Sequence, residues 1–186
     1  MTRVAVFGGS FNPPHVAHVL ACKLVLSVED VDRVLVVPAY MHPFAKALAP
    51  FEDRAAMCEL AMAWIPCVEV SRVEAELGGE SRTLRTLETL SNAHPDWRLR
   101  LVIGADILAE ASRWFGFDAI EKIAPPIVLG RAGVGAPGAT TALLPEVSST
   151  QVRAAIARGA WNEVDKLVPR EVLAYARARG LYATPD

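Results

Sequence analysis

Residues 4–18 read VAVFGGSFNPPHVAH, and this stretch decides the fold. It opens with a short apolar run, Val4–Phe7, which predicts a strand that ends at two glycines. Apolar residues then recur at helical spacing across Val16–Val28, which predicts a helix. The residues between the two are rich in glycine and proline, as is typical of a tight turn. The chain is therefore expected to begin with a strand, a turn and a helix.

The rest of the chain continues this alternation. Because helices separate the strands, we expect a mainly parallel sheet with helices on both faces. The strands are mostly apolar, as is typical of strands that are buried on both sides. The prediction is a Rossmann-like, doubly wound α/β fold with C-terminal helices, in one domain over residues 1–186. The further predicted elements are the strands Arg33–Val37, Val68–Val70, Leu99–Ile103, Ile127–Leu129 and Ala142–Leu144, and the helices Glu52–Trp64, Thr83–Ala93, Ile107–Ala111, Thr150–Ala157 and Glu171–Arg179.

Composition excludes several classes of protein. The chain has 186 residues, of which 52% are hydrophobic and 22% charged, so it can bury a core and is neither disordered nor fibrous. The formal net charge of −2 argues against nucleic acid as a main partner. No apolar run approaches the ~18 residues of a membrane span, and no signal peptide is expected. The oligomeric state stays open, a homo-oligomer being one alternative.

The cysteines indicate the cellular compartment. Cys22, Cys58 and Cys67 are odd in number and form no CxxC pair. We therefore expect ordinary buried, reduced thiols in a cytoplasmic protein. The four histidines lack zinc-finger spacing, so no structural zinc is expected.

The strongest functional signal is the turn Gly8-Gly9-Ser10-Phe11-Asn12-Pro13-Pro14-His15-Val16-Ala17-His18. Glycines let backbone N–H groups approach a ligand, and a helix N-terminus favours an anion. His15 and His18 are three residues apart, so both imidazoles lie on one side of the first helical turn, where they can donate hydrogen bonds to phosphate oxygens. The alternative is a glycine-rich turn whose histidines merely cap or pack. The motif is neither a Walker P-loop nor GxGxxG.

A second anion site is predicted near the C-terminus, in Val147-Ser148-Ser149-Thr150-Gln151-Val152-Arg153. Ser148 and Gln151 fit a helix capping box. A capping box does not explain Arg153, because a cation near a helix N-terminus opposes the helix dipole unless an anion lies between them. The hydroxyls of Ser148, Ser149 and Thr150 with Arg153 would form a phosphate cradle. The alternative is an arginine that extends into solvent.

A third signal is Gly104-Ala105-Asp106, at the end of a predicted strand. Ligands of open parallel sheets bind beyond the carboxyl ends of the strands. Asp106 could equally be the N-cap of the following helix. Trp114 could stack on a ligand base or belong to the core.

In this order, the motifs resemble the bacterial nicotinate-mononucleotide adenylyltransferases of the nucleotidyltransferase superfamily. The resemblance spans nearly the whole chain. It is carried by the first motif, the loop from Pro38 to Lys46, Arg54 and Met57, Ser81–Leu87, the Gly104-Ala105-Asp106 and Trp114 block, the Ser148–Arg153 motif, and Val168–Tyr182.

The resemblance implies adenylyl transfer from ATP to nicotinate mononucleotide, giving deamido-NAD and pyrophosphate, with Mg²⁺ accompanying ATP. His15, His18 and Arg153 would be catalytic. ATP would contact Gly8, Gly9, Ser10, Phe11, His15, His18, Lys46, Gly104, Asp106, Ser148, Ser149, Thr150 and Arg153. The acceptor would contact Asn12, Arg82, Thr83, Arg85, Thr86, Asp106 and Trp114. Arg82 or Arg85, where the family has other residues, would hold an acidic acceptor.

Other functions stay open from the sequence. Within the same superfamily, the acceptor could be nicotinamide mononucleotide or 4′-phosphopantetheine. The chain could also be a nucleotide-binding sensor without turnover, or a fragment of a class I tRNA synthetase. The missing basic charge argues against the synthetase, and the presence of two phosphate motifs argues against a sensor.

Overall fold

The structure is a computed structural model that describes residues 1–41, 48–108, 116–130, 139–140 and 144–183. Five parallel strands form one sheet in the order β3-β2-β1-β4-β5. They are β1 Thr2–Gly9, β2 Arg33–Pro38, β3 Val68–Val70, β4 Trp97–Gly104 and β5 Pro126–Leu129. The helices are α1 Val16–Val28, α2 Phe51–Met62, α3 Val73–Leu77, α4 Thr83–Ala93, α5 Ala105–Leu108, α6 Phe117–Ile123, α7 Ser149–Ala157 and α8 Arg170–Ala178.

Helices cover both faces of the sheet, as the apolar strands predict. In β1, Ala5 belongs to one buried cluster, while Val4 and Val6 belong to the other. The first cluster also contains residues of α1, α2, α7 and α8, and the second contains residues of α3, α4 and α6. Alternate side chains of a strand point to opposite faces, so the central strand contributes to both cores. The predicted Rossmann-like fold is confirmed.

The strand order places a crevice beside β1. The chain passes from β1 through α1 to β2 on one side, and β4 pairs with β1 on the other side. The carboxyl ends of β1 and β4, at Gly9 and Gly104, therefore lie where the direction of the strand order reverses. Open α/β sheets bind ligands at such a switch point.

Most predicted elements occur at or within two residues of their expected bounds. The helices Val16–Val28 and Thr83–Ala93 agree at both ends. The strand predicted over Val4–Phe7 continues to Gly9 because Gly8 and Gly9 pair with β2. The short helices α3 and α6 were not predicted.

Two predicted elements lie partly outside the described residues. For the strand expected over Ala142–Leu144, only Leu144 is described, and its N–H donates to the Gly130 carbonyl at 3.4 Å. The helix expected over Ile107–Ala111 begins earlier, at Ala105, and its described part ends at Leu108. In the described ranges, no helix combines the length and the apolar character that a membrane span requires.

Candidate active site

The two glycines of the first motif differ in the space around them. Neither Gly8 nor Gly9 has a positive φ. A Cβ at Gly9 would lie 3.2 Å from the Phe11 ring, which packs against the end of β1. A Cβ at Gly8 would meet no described atom within 4 Å. Gly9 therefore makes room for Phe11, while the described residues leave space beside Gly8.

The two histidines lie together at the start of α1. Their rings stack with centroids 3.7 Å apart, and the His18 ring meets Phe11 edge-on at 4.9 Å. The N–H of His15 donates to Nδ1 of His18 at 3.0 Å. Because a backbone N–H can only donate, Nδ1 must accept, so a neutral His18 carries its proton on Nε2. The predicted placement of both imidazoles on one side of the turn is confirmed.

The N-terminus of α1 has fewer available donors than the sequence suggested. The N–H of Val16 donates to the Leu167 carbonyl at 2.9 Å, and the N–H of His18 donates to the His15 carbonyl at 2.9 Å. The first of these bonds joins the first motif to the segment before α8. Side chains of the turn must therefore supply much of any contact to an anion.

The first and last motifs are in direct contact. The Ser149 hydroxyl donates to the Pro13 carbonyl at 2.8 Å, and the Arg153 guanidinium donates to the Asn12 carbonyl at 2.8 Å. The partners are 136 and 141 residues apart in the chain. The N-terminus of α7 thus lies against the turn that holds the histidines. The alternative of an Arg153 extended into solvent is wrong.

The other two hydroxyls of the last motif have local partners. Ser148 caps α7: its Oγ accepts from the Gln151 N–H at 3.2 Å, and Gln151 Oε1 accepts from the Ser148 N–H at 3.0 Å. The predicted capping box is confirmed. Thr150 Oγ1 accepts from Arg153 at 3.3 Å, which orients the guanidinium beside the turn.

Asn12 connects three parts of the chain and is 1% exposed. Its Oδ1 accepts from the Ala49 N–H at 3.0 Å and from the Tyr182 hydroxyl at 2.9 Å. Its carbonyl accepts from Arg153. Asn12 was predicted to contact the acceptor; its amide oxygen has these two protein donors, and the acceptor contact stays a prediction.

Arg54 is a buried residue of α2 that hydrogen-bonds to the same turn. It is 1% exposed and donates to the carbonyls of Ala49 and Ser10 at 2.9 Å each and of Tyr40 at 3.3 Å. Burial lowers the pKa of this guanidinium. Its fork of donors joins the ends of β1 and β2 to the start of α2.

Asp106 lies at the carboxyl end of β4, on the same sheet edge as the first motif. A Cβ at Gly104 would collide with the Asp106 carboxylate, so this glycine lets the side chain fold back over the strand end. Since the helix starts at Ala105, Asp106 lies within its first turn. The alternative of Asp106 as the N-cap is wrong.

Other residues predicted for the acceptor lie at α4. Thr83 is its first residue. Thr86 is buried, and its hydroxyl donates to Glu74 and to the Arg82 carbonyl. That hydroxyl therefore joins α3 to α4.

The two arginines at the start of α4, Arg82 just before it and Arg85 within it, differ in their partners. Arg85 donates to the carbonyls of Leu77 and Gly78 at 3.0 and 2.9 Å, closing the end of α3. Arg82 is exposed and forms an ion pair with Glu80 at 2.8 Å. Lys46 and Trp114 lie outside the described residues.

Sequence reasoning assigned no role to Arg54 or Tyr182. Arg54 could have been found from its helical spacing, because it shares a face with the buried residues Met57, Cys58 and Ala61. A charged residue on an apolar helix face indicates a buried hydrogen-bonding role. For Tyr182, which contacts a residue 170 positions earlier, no local pattern exists.

Comparisons with known proteins agree on one family. The model of the cytidylyltransferase-like family matches residues 6–155. A protein of Anaeromyxobacter dehalogenans (strain 2CP-C), named "Probable nicotinate-nucleotide adenylyltransferase", is 49% identical over 97% of this chain and 96% of its own length. A protein of Myxococcus xanthus (strain DK1622) with the same name is 45% identical over 97% of this chain and 94% of its own length.

The fold is also found among solved structures. The nicotinic acid mononucleotide adenylyltransferase of Plasmodium falciparum, complexed with NaAD, superimposes with a TM-score of 0.85. The match covers 98% of both chains at 17% identity. At this identity, the likeness shows the fold.

Proposed function

Because the chain belongs to the nicotinate-nucleotide adenylyltransferases of the cytidylyltransferase-like family, we propose that it transfers the adenylyl group of ATP to nicotinate mononucleotide. The products are deamido-NAD and pyrophosphate, and the reaction belongs to NAD biosynthesis. The observation that carries this proposal is the contact between the two motifs at the switch point of the sheet. Ser149 and Arg153 of α7 bind the main chain of the turn that holds His15 and His18.

The reaction needs alignment more than it needs a strong base. The second pKa of a phosphate monoester is about 6, so the acceptor phosphate is mostly dianionic at pH 7. One of its oxygens attacks the α-phosphorus of ATP. The bond from that phosphorus to the oxygen bridging to the β-phosphorus breaks, and pyrophosphate leaves with the electron pair. The protein must hold two anions in line and stabilise the charge of the transferring group.

His18 and Arg153 are suited to that work. With Nδ1 of His18 accepting from the His15 N–H, the imidazole presents Nε2–H as a donor in a fixed orientation. We assign this donor, together with His15, to phosphate oxygens of ATP. Arg153 lies one hydrogen bond from the same turn and supplies positive charge to the leaving pyrophosphate. A fixed donor aimed at developing charge is typically the largest single contribution in such sites.

Mg²⁺ is proposed to arrive with the nucleotide. Among the described residues, no group of three or more His, Cys, Asp or Glu side chains could hold a metal ion. The turn instead presents imidazoles and an arginine, which suit phosphate oxygens. Mg²⁺ usually keeps several waters and binds through substrate phosphates, with few protein ligands. Asp106, at the neighbouring strand end, is the carboxylate placed to approach it, and the ion would neutralise charge on the triphosphate.

Arg82 is proposed to favour the acid form of the acceptor. Arg85 donates to two carbonyls at the end of α3, whereas Arg82, which precedes α4, pairs only with an exposed glutamate among the described residues. Exchange of that surface partner for a pyridine carboxylate costs little. Arg82→Gln is expected to raise the KM for nicotinate mononucleotide and to leave the KM for its amide unchanged. Equal KM values for the acid in wild type and Arg82→Gln would contradict this role.

A pyrophosphate-release assay tests the function. Purified protein is given Mg²⁺-ATP with nicotinate mononucleotide, nicotinamide mononucleotide or 4′-phosphopantetheine in separate reactions. We expect release only with a pyridine mononucleotide and fastest with the acid. Release with phosphopantetheine alone, or ATP binding without release in any reaction, would overturn the proposal.

A further inference from the structure

Two tyrosine hydroxyls fasten the C-terminal segment to the body of the protein. Tyr175, in α8, donates to Asp53 of α2 at 2.9 Å. Tyr182, just beyond α8, donates to Oδ1 of Asn12 at 2.9 Å. The bonds have the same donor type and the same length. Only the second ends on the turn of the candidate active site.

The acceptor of the Tyr182 bond is a branch point. Oδ1 of Asn12 also accepts from the N–H of Ala49, and the main-chain carbonyl of Asn12 accepts from Arg153. Rotation of the Asn12 side chain would break both bonds to Oδ1. Displacement of its main chain would move the bonding partner of Arg153. The Tyr182 hydroxyl thus helps to hold Asn12, the residue that in turn orients Arg153 and the turn before His15.

At both ends of the hydrogen bond between Tyr182 and Asn12, the backbone adopts a conformation that surrounding contacts must stabilise. Phe11, the residue before Asn12, has φ 45°, and Tyr182 has φ 66°. Side-chain-bearing residues rarely adopt this region, and they stay there only when the surrounding contacts determine it. Burial also raises the pKa of the Tyr182 hydroxyl, which therefore stays protonated and acts as a donor.

We propose that Tyr182 is a positioning residue for the nucleotide site: its hydroxyl holds Asn12 so that the turn and Arg153 keep the geometry that binds the triphosphate. The inference rests on the proposed function in taking ATP as the ligand. It adds a residue near the C-terminus, remote in sequence from both phosphate motifs, to the groups that determine ATP affinity.

The test compares Tyr182→Phe with Tyr175→Phe. Each variant loses one hydroxyl and one 2.9 Å hydrogen bond of the C-terminal segment. Thermal midpoints measure the structural loss, and calorimetric titration with ATP measures affinity without turnover. Loss of one hydrogen bond corresponds to about 0.5–1.5 kcal/mol, which is a change of about 2- to 12-fold in an equilibrium constant.

We expect Tyr182→Phe to weaken ATP binding by about 2- to 12-fold and to raise the KM for ATP by a similar factor. The KM for the mononucleotide should not change. Tyr175→Phe should lower the thermal midpoint similarly and leave ATP binding at the wild-type value. In an Asn12→Ala background, Tyr182→Phe should have no further effect on ATP binding, because the path runs through Asn12.

Equal ATP affinity in the two phenylalanine variants would overturn the inference, as would a full additional loss in the Asn12→Ala background. A wild-type protein that binds ATP but releases no pyrophosphate would refute the proposed function, and the affinity comparison would still decide the role of Tyr182. If the wild-type protein does not bind ATP, both fail.

Discussion

At the scale of the residue, one main-chain hydrogen bond determines how His18 can act. The His15 N–H donates to Nδ1, so in the neutral ring the proton is carried by Nε2. Stacking on His15 and edge contact with Phe11 restrict the plane of the ring. A donor whose direction is set before the substrate arrives needs little reorganisation during the reaction.

Replacement of His18 with alanine should therefore act on turnover. We expect kcat for pyrophosphate release to fall by roughly 10²–10³, the scale for loss of one preorganised donor. His94→Ala is the matched control, since this histidine stacks on Trp97 at the opposite edge of the sheet, where β4 begins. Steady-state kinetics on both folded variants provide the measurement. A loss smaller than about threefold in His18→Ala would contradict the role given to its Nε2.

The site residues differ in how far their sequence positions reveal their roles. His15, His18, Ser149 and Arg153 could be selected because their chemistry and spacing are local properties. Their partners could not, because the Asn12 and Pro13 carbonyls are backbone atoms of a segment more than 130 residues away. Thr86 shows the same limit: its hydroxyl donates to Glu74, a partner 12 residues earlier that no local motif reveals.

At the scale of the element, α2 supports the site through a buried cation. Arg54 donates to three carbonyls from three separate segments, and its described partners include no carboxylate. Its role is to satisfy buried acceptors at the ends of β1 and β2. Loss of such a donor costs the desolvation of the acceptors that remain.

Arg54→Met should lower the free energy of unfolding by about 2 kcal/mol, since methionine fills the space but leaves the three carbonyls without their donor. Arg72→Met is the control. Arg72 forms ion pairs with Glu52 and Glu59 of α2, but its side chain is 42% exposed. A solvent-screened pair of this kind contributes less than about 1 kcal/mol. Urea denaturation gives both values, and similar losses in the two variants would contradict the role of Arg54.

Element bounds followed from local signals where these were strong. Thr83–Ala93 has clear apolar periodicity and Val16–Val28 is mostly apolar along its length, and both were predicted at the correct residues. The helices α3 and α6 span only five and seven residues, too few to show a helical period. Their stability comes from packing on the second face of the sheet, which is not visible in a short window of sequence.

At the scale of the whole molecule, the two faces of the sheet form separate cores, and two thiols lie in the same one. Cys22 of α1 and Cys58 of α2 are both fully buried in the cluster that contains α7 and α8. Burial raises the pKa of Cys22 to about 12 and raises that of Cys58 further. Cys67 is exposed, so the prediction of a buried thiol is wrong at this position.

These shifts make alkaline pH destabilising. A thiol ionises near pH 8.5 once the chain is unfolded but stays neutral in the folded core, so the unfolded state releases protons first. The contribution of the buried thiol to stability is complete below about pH 8.5 and is lost as the pH rises toward the pKa of the thiol in the folded state. Across that window, each buried thiol should lower the free energy of unfolding by about 1.4 kcal/mol per pH unit.

Urea denaturation between about pH 9.5 and 11 measures this slope. Cys22→Ala should flatten the decline by about 1.4 kcal/mol per pH unit, because one of the two buried thiols is removed. The cavity it creates lowers stability at every pH and leaves the slope unaffected. Cys67→Ala should retain the wild-type slope, since it leaves both buried thiols in place. An identical slope in wild type and Cys22→Ala would show that the core around α1 and α2 admits water to this thiol, contrary to the packing that positions α1 beneath the candidate active site.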